Sequence, residues 1–266
     1  MLTGKIVTTL LFAGATLAFA DTAAGIKALD SKDYATAYRE LKAGADRGNA
    51  EAEFYLGVMY ARGIGVEQDI SEAMRLYQLS AAQGNAQAQL RLGIRYQQGW
   101  GVQQNFAEAS RWLQMAANQG EGRAQEGIAQ LYEEGVGVQQ DYKAAIYYYR
   151  LAATQGVREA LYNLAELIEK GKGTKRDEAA AFKLYKQAAD RGYAPAEEKV
   201  GAMYAAGTGV TADPAQAYFW STLAAKQNEK SAEKRLQTLA AKLSAEQASK
   251  VKQSVEEWKP ILAAAK

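Results

Sequence analysis

Between residues 50 and 62 the chain reads AEAEFYLGVMYAR. Ala52, Leu56 and Tyr60, with Gly57 beside them, fall at the i, i+4, i+8 spacing of one helical face. A second amphipathic stretch, ISEAMRLYQLSAAQ, follows from Ile70 and stops at Gly84. Between the two lies GIGVEQD, residues 63–69. Its glycines end the first helix, because glycine accepts the left-handed conformation of a C-cap. Asp69 stands where the N-cap of the second helix belongs, and Glu72, three residues later, is placed to complete a capping box. The pattern predicts helix, tight turn, helix.

The same arrangement returns every 36 residues. GIGVEQD at Gly63 is followed by GWGVQQN at Gly99, GVGVQQD at Gly135, GKGTKRD at Gly171 and GTGVTAD at Gly207. Alanine keeps the step at 52, 88, 124, 160 and 196, and again at 73, 109, 145, 181 and 217. Glycine keeps it at 48, 84, 120, 156 and 192. Gly57, Gly93, Ala129, Ala165 and Gly201 form a column small enough for a neighbouring helix to approach closely. Val66, Val102, Val138 and Val210 pin the connector to the core, and Asp69, Asn105, Asp141, Asp177 and Asp213 cap the second helices, with Glu108 placed like Glu72. Five units therefore occupy residues 50–229, and a fixed period of this size signals a solenoid. The glycine-rich loops are helix connectors rather than phosphate cradles. A dinucleotide fingerprint needs a strand before it, and GKGTKR lacks the glycine a P-loop requires five residues before GK.

The combined pattern, A-x-x-x-L-G-x-x-Y-x-x-G-x-G-V followed by an acidic cap and A-A-x-x-G, resembles the Sel1-like repeat family, cousins of tetratricopeptide repeats. The resemblance implies an all-α, right-handed α-solenoid of 36-residue helix-turn-helix repeats. Ile168, Thr174 and Asn228 depart from the pattern, replacing tyrosine, valine and the last glycine. Residues 21–49 read as a degenerate N-terminal repeat, in which DYATAYRELKAGADRGN repeats the second-helix half. Residues 230–266 read as C-terminal capping helices, the second started by Ser244 with Gln247 closing a capping box, since a solenoid end needs a polar cover.

Residues 1–20 read as a signal peptide. Lys5 is their one charge, IVTTLLFAGATLAFA is apolar, and Ala18-Phe19-Ala20 fits the small-x-small cleavage rule. The mature chain, expected to begin at Asp21 and to be periplasmic or secreted, keeps 31 basic and 30 acidic residues and inserts in no membrane. Near-balanced charge gives no electrostatic footprint for nucleic acid. The absence of cysteine and histidine removes disulfides, a lipid anchor, thiol nucleophiles, histidine bases and Cys/His zinc sites. No cofactor or metal ligand set is expected.

The family includes members named as β-lactamases, so a β-lactamase-like or peptidoglycan-directed hydrolase is the alternative to a scaffold. SAEK (Ser231–Lys234) and SKVK (Ser249–Lys252) match S-x-x-K, but the S-D-N and K-T-G partners of that chemistry are missing. Glu133-Glu134 and Glu256-Glu257 are sequence neighbours, which do not face each other on a helix, and read as solvated charges. No catalytic residue is assigned. In YYYRLAA, Tyr148 and Tyr149 read as inter-repeat packing and Tyr147 as facing water. Trp100 stands in the connector, where it is either an interface anchor or packed on the next loop.

First helices are expected to line the inner, concave surface of the solenoid. Their columns outside the core vary, and in the first two units they are apolar and basic. Tyr55, Val58, Arg62, Arg91, Ile94 and Gln98, extended by Trp100, are the expected partner-binding residues. The sequence thus points to a non-catalytic exported scaffold that binds a protein partner in envelope assembly, signalling or host contact, with self-association through exposed ends as a further possibility.

Overall fold

The computed structural model describes residues 22–261, and the expected signal peptide lies outside the described residues. All regular structure among the described residues is α-helical. Residues 22–30 form α1, followed by α2 (Tyr34–Asp46), α3 (Ala50–Arg62), α4 (Ile70–Ala82), α5 (Ala86–Gln98), α6 (Phe106–Asn118) and α7 (Gly122–Glu134). Then come α8 (Tyr142–Thr154), α9 (Arg158–Lys170), α10 (Glu178–Ala189), α11 (Ala194–Ala206), α12 (Pro214–Lys226), α13 (Lys230–Ala240) and α14 (Ala245–Glu257). The fold class is an all-α solenoid of tandem 36-residue helix-turn-helix repeats. It divides into two compact units, one reaching Ala124 and including Val136–Val138, the other formed by Gln125–Gly135 and the chain from Gln139 onward.

Local chemistry sets the boundaries. Each of α4, α6, α8, α10 and α12 begins at the expected acidic or amide cap, whose side chain accepts from backbone N–H groups of the first turn. These bonds satisfy donors that the helix itself leaves unpaired. The capping-box expectation holds at Ser244 and Gln247, where both reciprocal bonds form. It does not hold for Glu72 and Glu108. Their carboxylates turn outward to Arg75 (2.7 Å) and Arg111 (3.1 Å), one turn further along the same helices. An arginine three residues on gives each carboxylate a charged partner, which a cap N–H does not.

The connectors demand left-handed backbone. At Gly137 (φ 74°) a Cβ would run into the Phe106 carbonyl, so both the conformation and the space require glycine. Asn228, which replaces the last glycine of the 36-residue pattern, keeps the same left-handed turn at φ 69°. Asparagine is the side chain that best tolerates that region after glycine.

In the first unit two clusters of buried residues follow the columns. One gathers Leu41, Leu56, Met59 and Leu76, and the other Phe54, Tyr77, Leu92 and Trp112. A Cβ at Gly57 would sit 2.9 Å from the Tyr77 ring, so the small column does admit a helix-to-helix approach. The degenerate repeat has a helical first half as well, residues 22–30, joined to α2 by a short turn in which Lys32 takes φ 62°. The turn lacks the paired glycines, and this hid the first helix from the repeat pattern.

In the second unit one cluster centres on Tyr149, Leu164 and Leu167, and another on Tyr185, Val200, Trp220 and Val255. Helices α13 and α14 both pack on α12. Arg235 reaches Glu198 of α11 at 2.5 Å, and the chain beyond α14 returns to α10, where the Ile261 N–H donates to the Asp190 carbonyl at 2.7 Å.

Candidate functional site

The residues expected to bind a partner lie on α3, α5 and the connector that follows α5. Arg62 and Gln98 are exposed, and Trp100, at 61%, is the most exposed tryptophan among the described residues. Local packing on the next loop, the alternative for Trp100, does not cover it. Tyr55 and Val58 are half-buried against the core, and so is Ile94. Arg91 is half-buried too, and its Nε has no hydrogen-bond partner. The columns of Tyr55 and Val58 are therefore a rim of the core rather than a free surface, while that of Arg62 and Gln98 is exposed. Tyr147 is 58% exposed as expected, while Tyr149 is fully buried and Tyr148 stacks on Tyr132 with ring centroids 6.0 Å apart.

Two sets of contacts had no signal in the hydrophobic pattern because both are polar. The first is a buried side-chain pair that recurs at a separation of 30 residues. The Nε2 amide of Gln83 donates to Glu53 (2.7 Å), Gln119 to Gln89, Gln155 to Gln125 and Gln227 to Glu197 (each 2.8 Å). Each pair ties the first turn of a first helix to the end of the following second helix. The fourth repeat breaks the series with Leu161 and Arg191, and the Arg191 Nε is left buried without a partner. Burial pushes the carboxyls of Glu53 and Glu197 up, that of Glu197 to about 7.

The second set surrounds a tyrosine of the second helix. Tyr185 donates its hydroxyl to Glu169 Oε2 at 2.8 Å, and Lys199 of the next repeat meets the same oxygen at 2.9 Å. Tyr149 donates likewise to Glu133 at 2.9 Å. Glu133 is thus a buried tyrosine's acceptor and not a solvated charge, which corrects the sequence reading. Glu134 accepts from Gln130, and Glu257 from Gln253. Burial and the adjacent carboxylates push both tyrosine hydroxyls far above their usual range.

Arg95 also escaped the sequence reading. It occupies the column of Met59, Leu131, Leu167 and Met203, all buried. A lone arginine in an otherwise apolar core column was the available signal. Its guanidinium lies 5.9 Å from the Tyr77 ring centroid, and Nη1 donates to the Trp100 carbonyl at 3.1 Å.

The hydrolase elements do not assemble. Ser231 Oγ donates to Glu198 at 2.9 Å, and Ser249, Lys234 and Lys252 are exposed. A concavity of about 730 Å³ in the second unit is lined by Arg150, Thr174, Lys175 and Arg176. Asp177, which caps α10, and Glu178, which pairs with Arg176, sit on the same wall and offset its positive charge. Among the described residues no helix is long and apolar enough to cross a membrane.

The family model described as Sel1 repeat matches residues 50–85, 86–121, 122–157, 158–193 and 194–229. The chain is similar to the crystal structure of a Sel1 repeat protein from Oxalobacter formigenes, at 30% identity and a TM-score of 0.78, covering 92% of this chain and 99% of that one. It is also similar to c5321, a protective antigen of uropathogenic Escherichia coli strains displaying an SLR fold. That match has 27% identity and a TM-score of 0.58, and covers 84% of this chain and 56% of that one. No curated protein matches the chain.

Proposed function

The chain belongs to the Sel1 repeat family, and from that premise we propose that it is a non-catalytic scaffold that binds a protein partner through the first-helix surface of its N-terminal unit. The observation that carries this reading is Trp100. It is a tryptophan 61% exposed, placed on a connector that elsewhere holds Ile64, Val136, Lys172 or Thr208, and Arg62 and Gln98, at the ends of α3 and α5, are exposed as well. Tryptophan and arginine are the side chains that most often dominate binding energy at protein interfaces. Tyr55, Val58, Arg91 and Ile94 of the same two first helices are half-buried. Export accords with this role and rests on the apolar, singly charged residues 1–20.

Trp100→Ala combined with Gln98→Ala tests the reading. Both side chains are exposed, so stability should change by no more than about 0.5 kcal/mol while capture of the partner from native envelope falls sharply. The control is Arg75→Ala with Arg111→Ala, which removes two exposed second-helix ion pairs. Loss of capture in the control alone would move the binding face to the second helices.

A further inference from the structure

We propose that the slot between Tyr77, Arg91 and Arg95 is a binding site for a carboxylate, supplied by a glutamate side chain of a partner polypeptide. The inference deepens the scaffold reading and rests on it for the source of the glutamate.

The chain itself shows what belongs in this slot. In the fourth repeat and its successor, three groups meet: Tyr185 from the second helix, Glu169 from the first, and Lys199 from the first helix of the next repeat. One carboxylate oxygen accepts from both the hydroxyl and the ammonium. In the third repeat, Tyr149 and Glu133 hold the same two places. Seventy-two residues before Tyr149 is Tyr77, in the first repeat, and the same step back from Glu133 leads to Ala61. The place of Lys199 is taken by Arg91. The tyrosine and the base are therefore present and the acid is missing.

The groups left behind lack that acid. Tyr77 is 2% exposed, and no carboxylate receives its hydroxyl as Glu133 and Glu169 receive those of Tyr149 and Tyr185. Arg91 keeps a buried Nε–H with no acceptor. Arg95 adds a second guanidinium from a column that is otherwise apolar, one turn from Arg91 on the same face of α5. Among the described residues no carboxylate lies within ion-pair distance of Arg62, Arg91 or Arg95. Burial pushes the Tyr77 hydroxyl above its usual range, and the positive charges of Arg91, Arg95 and Arg62 oppose that rise. Partly buried guanidinium groups without a counter-charge are costly, and a carboxylate accepting from them recovers much of that cost. The Arg95 Nη1 bond to the Trp100 carbonyl ties the slot to the exposed indole, so an apolar residue next to the glutamate would meet Trp100.

The test uses the full mature chain labelled with ¹⁵N and the arginine side-chain Nε–Hε signals as readout. The probe is a capped heptapeptide with one central glutamate among apolar residues. Its companions are the same peptide with glutamine, the glutamine peptide with a free C-terminal carboxylate, and inorganic phosphate. The Arg91 and Arg95 signals should move saturably with the glutamate peptide and not with its glutamine counterpart. Ala61→Glu, which restores the internal acid of the third and fourth repeats, should weaken the peptide by about tenfold or more, and Arg91→Gln should do the same. Arginine signals that stay still, or that move equally with the glutamine peptide, would overturn the proposal. A response confined to the free C-terminus or to phosphate would overturn the glutamate assignment. Partner capture by the Trp100→Ala, Gln98→Ala variant is read separately, so a working slot on a protein with no partner at this face would be recognised as such.

Discussion

Glu197 is fully buried, and its carboxyl meets the Gln227 amide through Oε2 while Oε1 has no partner. Burial raises its pKa from 4.5 to about 7, against the lowering effects of Gln227 and Arg158. The unfolded chain thus loses this proton at lower pH than the folded one. The group's contribution to stability is largest below about pH 4.5, declines as pH rises towards 7, and is fully lost above it. The loss amounts to roughly 3 kcal/mol at most. The equivalent pairs Gln89–Gln119 and Gln125–Gln155 show that a neutral amide fits the same place. Glu197→Gln should therefore raise the thermal midpoint at pH 8 and flatten its dependence between pH 5 and pH 8, as read by circular dichroism. A second single-residue expectation concerns Gly137. Gly137→Val places a branched side chain at φ 74° against the Phe106 carbonyl, and should lower stability by about 1–2 kcal/mol or more. Chemical denaturation of the purified variant measures it.

At the scale of elements, the caps and connectors were legible because they combine a fixed step with residue types that have one strong conformational use. Asp141 accepts from the N–H groups of Lys143 (2.8 Å) and Ala144 (3.1 Å), as its position after the glycines implies. Asp141→Ala should cost about 1 kcal/mol in the same denaturation experiment, with Asp141→Asn closer to neutral. What the periodicity hid was polar and cooperative. The glutamine and glutamate pairs occupy buried positions by satisfying each other, and a pattern of apolar residues carries no trace of them. Glu133 read as one of two adjacent surface acids, yet it turns inward to Tyr149 because a buried hydroxyl needs an acceptor. Glu72 and Glu108 prefer nearby arginines to the helix cap for a reason that is equally local. Arg95 is legible in its column as the one charged residue among Met59, Leu131, Leu167 and Met203.

For the whole molecule, the repeat array explains how one fold carries different surfaces. Core columns repeat, so each repeat can change its first-helix rim without disturbing its neighbours. The first and second repeats use that freedom to gather Arg62, Arg91 and Arg95 with Trp100, whereas Glu133 and Glu169 engage the corresponding tyrosines in the third and fourth. If the chain is exported as proposed, N-terminal sequencing of envelope extract should begin at Asp21, and a protein retaining residues 1–20 on a membrane would contradict it.

The central claim is that the partner docks on the first-helix rim around Trp100. Site-specific photo-crosslinking in the native cell tests it most directly, with a benzophenone side chain placed in turn at positions 98, 100, 75 and 147, all of them exposed in the structure. The account predicts one discrete adduct from positions 98 and 100 and none from 75 and 147, on the second helices. The same adduct from 75 or 147, with 98 and 100 silent, would contradict it.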